Sequence, residues 1–324
     1  MPDRLPVWFL GHCGYWDAHL RAALTSPLQD TLSHNDTMCS LATESSRRWQ
    51  LDATTVPTHH LAAAKLLGQT TAYTAEGLHQ LDGHLHSPQQ IRALRVRMGQ
   101  STSDATYRTK AIADSADDRA IIVPHVGPFT LAAHLIEGDA DWHPRFRALL
   151  FQYPTEARTL LTQAAGAITA YGRHIQLAGA DALYIDEAWS HLVGPEDQAV
   201  FILPYIERIV KSLAPFPVMV RSAGMDHHTE HLRKAGMAAW QPGLHSEPQE
   251  LRTRTLHSLA MLGPFDPGRL LSPVPVITQS VGRHIEAFGE RDFVVSLASD
   301  PLPHTDPRHL HAFIEAVQQY PIQH

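Results

Sequence analysis

The sequence predicts a (β/α)₈ barrel of the TIM type, formed by one domain, and three observations carry that prediction. Eight short apolar runs rich in β-branched residues recur along the chain. Helical patterns separate most of them, and no Pro/Gly/Ser-rich linker divides the 324 residues in two. Barrels of this kind run to about 250 residues or more as a single unit. An open doubly wound sheet is the alternative arrangement of the same elements.

The expected strands are PVWFL (6–10), DATTV (52–56), AIIVP (120–124), ALYID (182–186), PVMVR (217–221), MAAWQ (237–241), SLAML (258–262) and FVVSL (293–297). They are continuous rather than alternating, as parallel strands covered on both faces must be. The clearest helix is expected over 155–178, with Thr155 as N-cap and Leu161, Ala164, Ile168, Tyr171 and Ile175 as its apolar stripe. Gly179 is placed to end it. Further helices are expected over 196–213, after Gly194-Pro195, and over 306–318, opened by Asp306-Pro307. Residues 79–118 are long and polar with a helical centre near 88–98, and read as an excursion between the second and third strands.

Composition removes several function classes. The chain is 44% hydrophobic and 18% charged, with a net charge of −7 and no Lys/Arg-rich run, so nucleic acid is not an expected partner. No stretch reaches the ~18 apolar residues needed to span a bilayer, and the opening MPDRLPVWFLGHCG does not read as a secretory signal. Two cysteines, Cys13 and Cys39, make no disulfide framework, which leads us to expect a cytoplasmic protein. P-loop, GxGxxG, GxSxG, HExxH and CxxC motifs are all missing, so no nucleotide cofactor and no hydrolase triad is expected.

Histidine is the outlier: 23 residues, roughly three times ordinary usage. Many of them follow expected strands, where barrel loops form the mouth. The segments there are GHCGY (11–15), PTHH (57–60), HVGPF (125–129), DEAW (186–189), SAGMDHH (222–228), PGLH (242–245) and ASD (298–300). Imidazole and acidic donors aimed at one mouth suit a divalent transition metal such as zinc or iron. The ordinary alternative is that an abundant residue type lines solvent. Asp186-Glu187 ends an apolar strand with two carboxylates that must point to opposite faces, one into the barrel and one toward its helical coat. They serve either as metal ligand or acid/base group, or as a structural ion pair with an arginine such as Arg221. His12-Cys13 reads as a nucleophile pair or, more commonly, as a strand end with a core cysteine.

The same segments carry a resemblance over nearly the whole chain. PVWFLGHCGYW, LDATTVPTHHLAAAKLLG, HVGPFTLAAHLIEG, LAGADALYIDEAWSHLVGPEDQAVFILPYIERIV, LGPFDPGRLLSPVPVI and SLASDPLPHTDPRHLHAFIEAV occur in an order and spacing that resemble the uroporphyrinogen decarboxylase superfamily. That superfamily also contains the methylcobamide:thiol methyltransferases. The resemblance implies a (β/α)₈ barrel, often a homodimer. The decarboxylases' substrate-binding arginines in the first loop fall on Gly11 and Tyr15, and their catalytic aspartate falls on His59. Their helical tyrosine falls on His134, and the histidine after the last strand on Ser299. The methyltransferases' His-x-Cys zinc site, with its later cysteine, falls on Arg221, Ala223 and Ser299, none of which replaces those ligands.

The expectation is therefore a divergent, metal-dependent enzyme acting on a small organic molecule rather than on uroporphyrinogen. Lyase or decarboxylase chemistry ranks ahead of methyl transfer. His12, His59, His125 and Glu187 are the expected metal ligands, with His60, Cys13, Asp186 and His227 in reserve. Asp186, His134 and His227 are the expected catalytic groups, and Tyr15, Arg221 and Ser299 line the substrate. Two competing readings are a metal-free acid/base enzyme and a non-catalytic barrel that holds a tetrapyrrole or a protein partner.

Overall fold

A computed structural model describes residues 4–10, 32–73, 79–81, 84–97, 102–115, 118–138, 143–302 and 305–322. Seven strands make one parallel sheet: β1 (Ala53–Thr55), β4 (Ala120–Val126), β5 (Ala182–Asp186), β6 (Val218–Arg221), β7 (Ala239–Gln241), β8 (Ala260–Phe265) and β9 (Phe293–Leu297), in that order. Each lies within three residues of an expected run. Between β1 and β4, β2 (Thr71–Tyr73) and β3 (His79–Leu81) form a separate antiparallel pair. The described chain thus has an α/β fold with helices packed over a parallel sheet.

The first expected strand is represented by a single bridge, Val7 to Val295 of β9. Trp8 N–H donates to Val295 O at 3.1 Å, Val295 N–H to Pro6 O at 3.0 Å, and Asp52 N–H, just before β1, to Val7 O at 3.1 Å. Residues 6–8 are thereby bonded at both edges of the seven-stranded sheet. A regular ladder stops here for a definable reason. Val7 N–H is taken by the Asp52 carboxylate at 2.7 Å, and that carboxylate is held in turn by Arg4.

Side-chain parity sorts the strands into two cores. Trp8, Ala53, Ile122, Ala182, Tyr184, Met219, Ala239 and Leu262 form an inner cluster, with Trp8 edge-on to Tyr184 at 5.4 Å. The alternate residues, such as Val7, Leu183, Ile185, Val220, Trp240 and Val295, join a larger cluster under the helices. Two apolar faces explain why the strand sequences read as continuous runs.

The helices depart from expectation where proline intervenes. The long helix runs Pro154–Leu177, with Tyr153 rather than Thr155 at its N-cap and Pro154 in the first turn, where its missing N–H costs nothing. Residues 196–213 form two helices, Pro195–Phe201 and Leu203–Leu213, which meet at Ile202. Pro204 cannot donate and would clash with the carbonyl four residues back, so one helix cannot pass through. Asp306 caps the last helix, Pro307–Gln318, by accepting from Arg308 N–H at 2.8 Å. The polar excursion is mostly structured. It contains the helices Pro88–Ala93 and Ser103–Ser115, and the second buries Ala105, Arg108, Thr109 and Ile112. The helix Asn35–Arg48, which was not among the expected helices, packs against it. Among the described residues no helix is long and apolar enough to cross a membrane.

Candidate active site

Polar side chains face the inside of the sheet at the C-terminal ends of three neighbouring strands. Asp186, Arg221 and Gln241 are the last residues of β5, β6 and β7, and register pairs Asp186 with Arg221 and Arg221 with Gln241. All three share the inward parity of Tyr184, Met219 and Ala239. Below them lie apolar side chains, so these strands end in a polar row on an apolar floor.

Within the row, Arg221 Nη1 donates to both Asp186 oxygens, at 2.9 and 2.7 Å. The Asp186 charge is the main influence that holds the Arg221 guanidinium firmly cationic. Nε and Nη2, three further N–H groups, have no acceptor among the described residues. Tyr184 O–H donates to Gln241 Oε1 at 2.6 Å, and Gln241 Nε2 donates to Leu297 O at 2.8 Å. Burial pushes the Tyr184 phenol well above its usual range, so it stays protonated. Trp8 Nε1 donates to Thr55 Oγ1 at 3.2 Å on the opposite side of the interior. Asp300, just after β9, lies within electrostatic reach of Tyr184 and Arg221. Asp186 and Arg221, about a fifth and a quarter exposed, are the reachable charges of the row.

Glu187 points the other way, as adjacent strand residues must. It is fully buried, and its carboxylate accepts from Phe129 N–H at 2.9 Å, Thr130 N–H at 3.0 Å and Thr130 O–H at 2.8 Å. It thus caps the helix Pro128–Glu137 from another strand and satisfies two of the N–H groups that every helix leaves unpaired at its start. Burial nonetheless raises its carboxyl to about 7, against the opposing pull of those three bonds. The division of Asp186 and Glu187 between interior and coat is the one the sequence predicts.

Among the described residues, the expected histidines do not meet at this inner row. His125 is buried; its Nδ1 sits 2.6 Å from Val126 O, its Nε2 accepts from Ala63 N–H at 2.9 Å, and the ring packs on Tyr171. Both nitrogens are committed to backbone, and burial pulls its pKa down to about 4, so it remains a neutral structural group. His59 is committed in the same way. Its Nδ1 accepts from Leu61 N–H at 3.2 Å, and its Nε2 lies 2.6 Å from Ala72 O. It borders a lateral cleft that shares no lining residue with the Asp186–Arg221–Gln241 row. His60 is partly exposed, and its carbonyl accepts from Val126 N–H.

The three expected metal ligands that are described, His59, His125 and Glu187, therefore do not fit a divalent ion. The lone pairs of His59, His125 and Glu187 already serve the fold, and no set of three or more His, Cys, Asp or Glu among the described residues is placed to hold one. His12, Cys13 and Tyr15 lie outside the described residues. His134, an expected proton carrier, stacks on Trp189 at 4.2 Å, and His143 packs on the same indole at 3.7 Å. Trp189 belongs to the coat-side core, away from the inner row. His227 is exposed on the 3₁₀ turn Asp226–His228 beside His228. Ser299 is exposed after β9 and bonds locally to Asp300 O at 3.3 Å. Of the expected site residues that are described, Asp186 and Arg221 are the two that form an ion pair.

Gln241 and Tyr184 belong to the row without having been expected there. The signal for Gln241 was the one that drew attention to Asp186, a polar residue closing an apolar strand. Tyr184 stands two residues before Asp186 and so shares its face.

An inward polar row at the C-terminal ends of parallel strands, under a coat of helices, places this chain among α/β proteins that present their chemistry at one end of a sheet. The uroporphyrinogen decarboxylase family model matches residues 1–320, and the chain belongs to that family. It is 24% identical to a uroporphyrinogen decarboxylase of Danio rerio over 98% of this chain and 90% of that protein. It is 27% identical to one of Dichelobacter nodosus, over 98% and 94%. Among solved structures it resembles a methyltransferase from Methanosarcina mazei, with a TM-score of 0.79 and 16% identity, covering 99% of this chain and 95% of that one. A B12-independent methionine synthase from Shewanella sp. W3-18-1 gives 0.62 at 11% identity, over 91% and 88%. These structural likenesses concern the fold.

Proposed function

We propose that this protein is an enzyme that binds a small organic acid at the C-terminal ends of its strands and carries out lyase-type decarboxylation on it. In this reading residues 6–10 act as the first strand of a closed eight-stranded barrel, joined to β9 and β1 by the bonds at Val7 and Trp8. The observation that carries the proposal is Arg221, held cationic by Asp186, with Nε and Nη2 left to donate into the mouth. A guanidinium with donors to spare is a natural partner for a planar carboxylate.

The row also suggests how the reaction would proceed. Arg221 would hold a carboxylate that stays on the substrate and fix its orientation. A second carboxylate, lying over the apolar floor of Trp8, Tyr184 and Met219, would be poorly hydrated. Cleavage of the C–C bond would release neutral CO₂ and leave the bonding pair on the carbon, which then takes a proton from water, and that protonation removes the poorly hydrated charge. A metal held by His59, His125 and Glu187 forms no part of this scheme, because their donor atoms are committed elsewhere. A substrate other than uroporphyrinogen is supported by the family's clamp arginines falling on Gly11 and Tyr15.

The test is a panel of small mono-, di- and tricarboxylic acids with ¹³C-labelled carboxyl groups, followed for labelled CO₂, with uroporphyrinogen included. We expect at least one small acid to be decarboxylated, with Arg221→Gln lowering kcat/KM by about a hundredfold, as loss of a charge-assisted contact worth about 2–3 kcal/mol predicts. Release of no CO₂ from any acid, together with methyl transfer to a thiol, would replace this reading with the methyltransferase one.

A further inference from the structure

Among the described residues, Arg108 is a buried cation without a carboxylate partner. It projects from the helix Ser103–Ser115 and is 4% exposed. Among the described residues its guanidinium meets only neutral oxygens: Nε donates to Asn35 Oδ1 at 2.7 Å, Nη1 to Pro57 O at 2.6 Å and Nη2 to Leu32 O at 2.7 Å. Two of its five N–H groups are left over. A buried charge is costly unless paired with an opposite one, and carbonyl dipoles meet that need only in part.

The same side chain walls a cleft of about 330 Å³, the one that His59 borders. Among the described residues, three ionic side chains line it: Arg108, Lys65 and Asp104. Lys65 and Asp104 pair with each other at 3.1 Å, so among the described residues of the cleft the Arg108 charge is the one left uncompensated. The hydroxyl-bearing residues Thr58, Thr71 and Thr102 add polar groups to the wall. A space of this size, next to a desolvated cation, is suited to a small anion.

From this arrangement we infer that the lateral cleft is a second ligand site, one that takes a phosphate or carboxylate group as the counter-ion of Arg108. This rests on Arg108 and its cleft alone and is independent of the reading of the mouth. Occupancy would also brace the fold. Arg108 ties the start of the helix Asn35–Arg48 to Pro57, beyond the C-terminal end of β1, so an anion on its remaining donors would lock both segments.

Thermal unfolding of the full chain with sodium phosphate or sodium malonate, against sodium chloride at equal ionic strength, tests it. The expected result is a saturating rise in unfolding temperature with one of the two anions and none with chloride, since binding to the native state alone stabilises by mass action. The anion that responds identifies the group as phosphate or carboxylate. Ala105→Leu, which fills the cleft from the helix side, should remove the response. Lys65→Gln should raise the half-effect concentration about tenfold, as loss of a nearby positive charge predicts. Arg221→Gln should leave the response unchanged. The inference is overturned if neither anion acts beyond chloride or if the response survives both cleft variants. Disappearance in Arg221→Gln would overturn it as well, because the anion would then sit at the mouth.

Discussion

The Glu187 carboxylate occupies the space that a β-carbon on Gly127 would need: an added carbon there would lie 2.1 Å from Glu187 Cδ and 2.4 Å from its Oε1. Gly127 has φ −72° and ψ 168°, a backbone conformation open to any residue, so the requirement is for room alone. The helix start must come close to β5 for its N–H groups to reach the carboxylate, and a bare Cα permits that approach. Gly127→Ala should therefore destabilise the protein by about 3 kcal/mol, at the upper end of overpacking costs. Combined with Glu187→Ala, it should cost clearly less than the sum of the two single changes, because the clash disappears with the carboxylate. Chemical denaturation of the three variants and the parent checks both points.

Glu187 should also leave a pH signature. Its carboxyl is raised to about 7 in the folded chain, against 4.5 as a reference for the unfolded one. Between those values the folded state holds the extra proton, so the Glu187 contribution to stability falls as pH rises from about 4.5 to 7. The loss is about 3 kcal/mol, from 1.36 kcal/mol per pKa unit, and the contribution is flat beyond. Glu187→Gln cannot ionise and should lack that slope. It also leaves one helix N–H without an acceptor, at a pH-independent cost of about 1–3 kcal/mol. Subtracting the variant's stability from the parent's across pH 4–8 isolates the effect; a flat difference would mean that the carboxyl titrates normally.

The barrel-like succession of strands was legible because burial on both faces writes a continuous apolar run, and all seven strands of the sheet rest on one. The split of Asp186 from Glu187 was legible for the same reason, since period-two geometry is local. What Glu187 does was not: its partners, Phe129 and Thr130, stand 58 and 57 residues away, across the β4–β5 pairing. The histidines misled on similar grounds. Whether a ring nitrogen meets a metal or a peptide group depends on where residues 61–63 and 72 run, and nothing beside His59 or His125 in the chain encodes that. Arg108 lay in a stretch whose polarity read as an excursion, although its helix buries one face.

His125 offers a second pH test, of opposite sign. Burial holds it near 4 in the fold, below its usual 6.5, so the unfolded chain takes up the proton first. Its contribution to stability is complete above about 6.5 and is lost as pH falls toward 4, by roughly 3 kcal/mol in all. His125→Ala should flatten that acid limb. At neutral pH it should destabilise by about 2–4 kcal/mol, because it opens a cavity beside Tyr171 and orphans Ala63 N–H. Added zinc or iron should shift the melting of parent and variant equally, since neither ring nitrogen is available as a ligand.

The role of Asp186 can be separated from that of Arg221 by the direction of their effects. If Asp186 serves as the counter-ion that holds Arg221 in place, Asp186→Asn removes the competing negative charge and frees part of Nη1. The affinity for a carboxylate ligand should then rise, by about three- to tenfold for a partly exposed charge. Arg221→Gln should abolish binding of the same ligand. Turnover should not follow affinity: with Asp186 gone the guanidinium loses the partner that orients it, so kcat should fall even as binding tightens. In stability terms each single change should cost about 1–2 kcal/mol, with the double variant recovering about 1 kcal/mol of the sum, as expected for a pair only partly shielded from water. Calorimetric titration with an acid selected from the labelled panel, run on parent, Asp186→Asn and Arg221→Gln, reads these differences directly. Weaker binding in Asp186→Asn would make Asp186 a direct ligand contact and leave Arg221 without its assigned counter-ion.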